Sequence, residues 1–205
     1  DFDMPADISI TTADGEKVAG IRCGTVHSGI HVEPTGVVNK AIIDVEIPVA
    51  FHSIYYTQGR RTYGEVTDQQ IYDQIDVLNA AYAGTGISFK LQSIDRTNNK
   101  YWCQMSPGST YEVQAKQALA VDPAHTLNIY SCYPKRGLLG WSYFPDMYAE
   151  DHYMHGTVIH YGSLPDGYLS TYNEGDTATH EIGHYCGLYH TFQGGCSEPN
   201  DHCDD

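Results

Sequence analysis

Apolar and polar residues alternate from Ile43 to Phe51, with Ile43, Val45, Ile47, Val49 and Phe51 set between Asp44, Glu46 and their neighbours. A period of two is the mark of a half-buried β-strand, and it starts the folded body at Ala41. The period then changes. Ile71, Ile75, Leu78 and Tyr82 recur at spacings of four, three and four, which places them on one face of a helix. Thr67, with Gln70 three residues on, predicts a capping box at its start, and Gly84 and Gly86 end it. Ile87, Phe89 and Leu91 alternate again as a second strand. A shorter helix is predicted over 111–121, stopped by Asp122-Pro123, and short strands follow over 126–131, 138–143 and 157–161. This order predicts an α+β domain with a sheet backed by helices on one face. Residues 1–40 are polar, Gly- and Thr-rich and weakly periodic, so they read as an N-terminal extension.

Candidate chemistry is densest at residues 177–190, TATHEIGHYCGLYH. His180 and His184 are four apart, so on a helix their imidazoles share one face and can grip one metal ion. Asp176 is the predicted N-cap, after a turn-like stretch at 173–175. Gly187 can take a positive φ, end the helix and bring His190 round as a third ligand. Three neutral imidazoles leave one tetrahedral position of a zinc ion open, as in catalytic rather than structural sites. Glu181 would lie beside that position as general base for a zinc-activated water. At this chain's own residue frequencies HExxH arises by chance in about one sequence in 40; adding Gly187 and His190 makes it about one in 10,000, which favours a built site. His125, His152, His155 and His160 stand outside the pattern and read as surface or core residues.

Charge and cysteine content narrow the partners. Lys plus Arg number 11 against 26 Asp plus Glu, a net charge of -15. Such a surface repels phosphate backbones and anionic lipid, so neither nucleic acid nor membrane is an expected partner. No apolar run approaches a membrane span, and no Asn-x-Ser/Thr acceptor occurs. Six cysteines (23, 103, 132, 186, 196 and 203) form no CxxC pair, and their even number fits disulfides and an oxidising compartment. The first residues lack the basic and apolar regions of a signal peptide, so a secreted chain would be numbered here after its removal. Cys23 has two readings: a latency switch whose thiolate fills the open zinc position, or a disulfide with Cys103 or Cys132. If Cys23 is a switch, Cys103 and Cys132 are left to pair with each other. Cys196 and Cys203 would pair locally or with residues beyond the chain, and Cys186 reads as a small buried hydrophobe.

The extended motif HExxHxxGxxH is the metzincin signature. Together with GLLGWSYFP (137–145), MHGTVIHYGSLPDG (154–167), YNEGDTATHEIGHYCGLYHTFQGGC (172–196) and RCGT (22–25), it resembles the pappalysin family of metzincins, above all secreted fungal and bacterial members. The resemblance implies a secreted, extracellular zinc metalloendopeptidase acting on protein or peptide substrates. Its upper subdomain would hold a twisted, mostly parallel five-stranded sheet with backing helices and an active-site helix. The division implied is an extension and prosegment over 1–40, a catalytic upper subdomain over 41–190, and the start of a truncated C-terminal subdomain over 191–205. It also favours the segment at Leu138, Leu139, Gly140 and Trp141 as an exposed sheet edge that takes up substrate as an added antiparallel strand, over an ordinary internal strand. Asn200, Asp201, Asp204 and Asp205 stand where some relatives bind calcium, with a solvated acidic tail as the preferred reading. The chain stops 15 residues after His190, and its four methionines all precede the motif, so the family's lower subdomain with its Met-turn is largely absent. The competing expectation is therefore a zinc-binding fragment without turnover of its own, dependent on a missing C-terminal part of its precursor or on a partner.

Overall fold

A computed structural model describes residues 7–26 and 44–191. The elements are β1 (Ile8–Thr11), β2 (Lys17–Gly20), β3 (Val45–Gln58), β4 (Arg61–Tyr63), α1 (Asp68–Ala81), β5 (Ile87–Asn98), α2 (Lys100–Cys103), α3 (Thr110–Leu119), β6 (Leu127–Cys132), β7 (Gly140–Ser142), β8 (Thr157–His160) and α4 (Asp176–Tyr185). β4 folds back on the end of β3 as a hairpin; across the middle, the sheet runs β5-β3-β6-β8-β7. β5, β3, β6 and β8 are mutually parallel, and the edge strand β7, like the short β4, runs antiparallel to its neighbour. The fold is α+β with a mostly parallel sheet core, as expected, but with β4 the sheet has six strands rather than five. Ala41, Ile43, Lys40, Cys196, Cys203 and the acidic tail from Asn200 to Asp205 lie outside the described residues.

Two expectations are corrected. β3 is not half-buried by alternation: its stretch from Val49 to Ile54, including His52 and Ser53, is buried on both faces, because β5 and β6 flank it in the sheet and helices cover both sides. Nor do the helices share one face. Val49 and Phe51 of β3, Leu127 and Ile129 of β6 and Ile159 of β8 point to the α1 and α4 side, where they meet Ile71, Ile75, Leu78, Ala178 and Ile182. The intervening Ile54, Tyr130, Cys132 and Val158 point the other way, onto Cys103 of α2 and Ala115 of α3. Parallel strands joined through helices need both faces covered.

The predicted capping box of α1 is present: Thr67 Oγ1 accepts from Gln70 N at 3.2 Å and Gln70 Oε1 accepts from Thr67 N at 3.1 Å, an arrangement that contributes about 1 kcal/mol. Cys103 and Cys132 are buried free thiols within one apolar cluster, so neither pairs with the other or with Cys23, which is also free. Cys186, expected inside the core, is the C-cap of α4 and exposed; the buried stripe of Ala178 and Ile182 ends before it.

The extension is itself folded over residues 7–26. β1 and β2 form a hairpin whose Ile10 buries against Leu139 and Leu169. Its turn residue Asp14 pairs with Arg61 and accepts from Tyr63 Oη at 3.0 Å. Beyond the hairpin, residues 21–25 lie along the open edge of β7 in the same chain direction. Leu139 N donates to Ile21 O at 2.9 Å, Gly24 N to Gly140 O at 2.8 Å, and Ser142 N to Thr25 Oγ1 at 2.9 Å.

Candidate metal centre and active site

α4 carries the HExxH residues on two faces. Its N-cap is Gly175, at φ 87°, rather than Asp176, because the carbonyl of Gly175 begins the helix while also accepting from Gln74 Nε2 at 3.0 Å. Asp176 instead occupies the first turn, where a carboxylate faces the positive end of the helix dipole. Ala178 and Ile182 bury against the sheet, and His180 and His184 face the cleft. The helix closes in a Schellman motif: Leu188 N donates to Gly183 O at 2.9 Å and Gly187 N to His184 O at 2.9 Å. Gly187 has φ 95°, the positive value expected of it, and the chain reverses there to bring His190 back over the helix.

The three imidazoles converge. His184 Nε2 lies 3.0 Å from His180 Nε2 and 3.1 Å from His190 Nε2, and the last two are 3.2 Å apart. His184 Nδ1 is 2.7 Å from the carbonyl of Leu188. A carbonyl only accepts, so Nδ1 carries the proton and Nε2 presents a lone pair to the common centre. Tetrahedral zinc with bonds of about 2.0–2.1 Å holds ligand nitrogens about 3.3–3.4 Å apart, so the donor set fits that ion. Burial holds His180 and His190 below the usual histidine range, and His190 and Arg22 push His180 further down. Both are therefore neutral near pH 7, the form that binds metal.

Glu181 follows the first histidine but points elsewhere. It is fully buried, and its Oε2 accepts from Thr25 Oγ1 at 2.8 Å and from Cys23 Sγ at 3.5 Å. Oε1 is buried with no hydrogen-bond partner, so one lobe of the carboxylate is left for a group the cleft admits. Burial pushes Glu181 up to about 8, against the hydrogen bonds from Thr25 and Cys23. Cys23 Sγ and the three ring nitrogens all lie within 4.8 Å of one another. The thiol is raised by burial and then by the neighbouring carboxylate.

The predicted edge residues divide. Leu139 lines the cleft, a cavity of about 210 Å³ bounded also by Arg22, Tyr172, Thr177, His180 and Glu181. Gly140 lies directly on Glu181: a Cβ there would meet Glu181 Cγ at 2.8 Å. Leu138 is buried under the extension, beside Gly24, and Trp141 does not line the cleft: its ring points to the opposite face of the sheet, where Nε1 donates to Glu112 Oε1. The structure adds Thr25, which joins Glu181 to the backbone of Ser142. Its only sequence signal was its place in the RCGT stretch. Of the other histidines, His160 and His155 are buried and His125 is exposed.

Comparison with known proteins agrees with this geometry. Residues 119–205 match the family described as pregnancy-associated plasma protein-A. An extracellular metalloprotease of Sordaria macrospora is 41% identical over 83% of this chain and 58% of its own length, and one of Podospora anserina is 42% identical over 69% and 49%. The chain thus spans about half the length of the curated relatives it matches. Mature mirolysin of Tannerella forsythia, solved with a cleaved peptide, superposes with a TM-score of 0.65 at 29% identity over 78% of this chain and 70% of that one. Promirolysin of the same organism also gives 0.65, at 27% identity over 80% and 62%. The chain belongs to the pappalysin family of metzincin metalloproteases.

Proposed function

We propose that the chain is the catalytic part of a secreted zinc metalloendopeptidase, held latent by its own N-terminal extension. The observation that carries the reading is the convergence of three ring nitrogens beside a buried carboxylate with one unpartnered oxygen. His180, His184 and His190 would hold one zinc ion, which when bound supplies a Lewis acid for the peptide carbonyl and acidifies water toward neutral pH. Glu181 takes a proton from the attacking water, the scissile C–N bond breaks, and Glu181 returns that proton to the leaving amine. β7 would take up the substrate as an antiparallel strand through Leu139 N, Gly140 O and Ser142 N. Residues 21–25 now fill that edge in the opposite sense, parallel to β7, which supports a blocking rather than a substrate role. Secretion is supported by the naming of the relatives as extracellular, and no described helix is long and apolar enough to cross a membrane. The residues set beside calcium, Asn200, Asp201, Asp204 and Asp205, lie outside the described residues.

The test is casein hydrolysis by the chain trimmed near Lys40. Activity should vanish on chelation and return with one equivalent of zinc. A trimmed chain that binds one zinc and cleaves nothing would favour the fragment reading, to which the partial coverage of the relatives lends weight.

Gly187 gives a test of the metal site alone. A Cβ there would meet only Pro145 Cγ, at 4.0 Å, so any penalty comes from the backbone and not from crowding. Gly187→Val, forced to a positive φ, should release zinc about tenfold faster than Gly187→Asn, which tolerates that region better. Equal off-rates in a chelator-competition assay would mean that the turn does not set the third ligand.

A further inference from the structure

The edge strand β7 is held from both faces. On the α4 side, Gly140 sits against Glu181 Cγ and Thr177 Cγ2, where a Cβ would come within 2.8 and 3.1 Å. The strand cannot move closer to Glu181. On the other side Trp141 and Tyr143 point to α3 and meet one carboxylate. Glu112 Oε1 accepts from Trp141 Nε1 at 2.7 Å, and Oε2 accepts from Tyr143 Oη at 2.8 Å and from Gly108 N at 2.7 Å. Lys116 Nζ stands 3.2 Å from Glu112 Oε1, donates to Met154 O at 2.9 Å, and lies 4.7 Å from the centre of the Tyr143 ring. Neither Glu112 nor Lys116 has exposed surface.

Four donors therefore converge on Glu112, and a carboxyl group, with acceptor oxygens on both sides, can receive them all. A glutamine would turn an NH2 toward at least one donor. Burying such a pair is a poor way to gain stability, since apolar replacements of similar volume are often neutral or better. What this pair does specify is position: Trp141 of β7 and Tyr143, the residue just after the strand, are tied to a single point on α3. We infer that Glu112, balanced by Lys116, is a positioning residue that fixes the height of β7 above Glu181, and with it the row of backbone groups that receives an extended peptide. The inference rests on the peptidase reading for its functional meaning. Its geometric content can be tested without it, because the extension occupies the same edge.

The variant is Glu112→Gln/Lys116→Met in the full chain, loaded with zinc to the wild-type level. The control is Ile71→Val, which loosens the core on the opposite face of the sheet. Iodoacetamide should alkylate Cys23 about tenfold faster in the double variant, the ordinary size of losing a charge-assisted hydrogen bond, and no more than about twofold faster in the control. After trimming, KM for a peptide should rise about tenfold in the double variant with kcat within about twofold. Wild-type alkylation and KM in the double variant, or equal rises in Ile71→Val, would overturn the inference. If the wild-type trimmed chain cleaves no peptide, the peptidase reading fails, and the alkylation rates still decide the positioning role. Should the double variant not fold, Trp141→Phe, which removes only the indole N–H and part of the ring, is read by the same two measurements.

Discussion

Glu181→Gln should bind one zinc ion per chain as tightly as the wild type and hydrolyse casein at least about a hundredfold more slowly, the lower range for losing a positioned general base. Glutamine keeps the shape of the side chain, and its carbonyl oxygen can still accept from Thr25 Oγ1, now 2.8 Å from Glu181 Oε2. The residue is buried to the point where its charged form is disfavoured, so a neutral replacement costs no desolvation and should fold at least as well. The three histidines are untouched, and Gly140 still meets the same Cγ. What the amide lacks is a basic oxygen at the unpartnered Oε1 position, where a water would have to give up its proton. Zinc analysis and casein kinetics on the trimmed variant check both halves. Retention of a tenth of wild-type activity would remove Glu181 from the role of base, and loss of zinc would mean that it supports the ligands instead.

The features legible in the sequence were those written in short spans. The capping box of α1 needs only Thr67 and Gln70, and the histidine triad needs eleven consecutive residues whose spacing fixes their faces and whose glycine marks the turn. Burial of β3 on both faces was not legible, because alternation in Val45–Phe51 looks the same whether the second face meets water or another layer. The Glu112–Lys116 pair, at i and i+4 on a helix, has the sequence appearance of a solvated surface pair. Its role depends on Trp141 and Tyr143, some thirty residues away. α2 is four residues long, too short to show a period. The docking of residues 21–25 was the least accessible. Thr25 meets Glu181 across 156 positions of sequence, and only the sheet order, with β7 at the edge, brings them together. The disulfide alternative for Cys23 came from counting cysteines, and counting says nothing about which thiols the fold buries apart.

Cys23→Ser should make the untrimmed chain at least about tenfold more active than the untrimmed wild type, if the thiol is what closes the site. Cys23 Sγ lies within 4.8 Å of each of the three histidine ring nitrogens, and in the latent form proposed above it would be the fourth zinc ligand. Thiolate is among the strongest zinc ligands, whereas a serine hydroxyl at neutral pH is a poor one, so under this reading the substitution would remove a metal bond worth far more than the hydrogen bonds beside it. The flanking backbone would remain docked: Leu139 N to Ile21 O, Gly24 N to Gly140 O and Ser142 N to Thr25 Oγ1 do not involve the sulfur. Those three bonds should slow the release of the edge and leave activity below that of the trimmed enzyme. Three activities are thus expected in order: untrimmed wild type lowest, untrimmed Cys23→Ser between, and both trimmed forms equal and highest. Thiol-modifying reagents should move the untrimmed wild type toward the serine variant and leave that variant unchanged. If the untrimmed Cys23→Ser chain is as silent as the wild type while both trimmed forms are active, the strand-like cover alone shields the site. Peptide mapping of the intact, unreduced protein supplies the remaining check, since a disulfide at Cys23 would rule out the thiol as a zinc ligand.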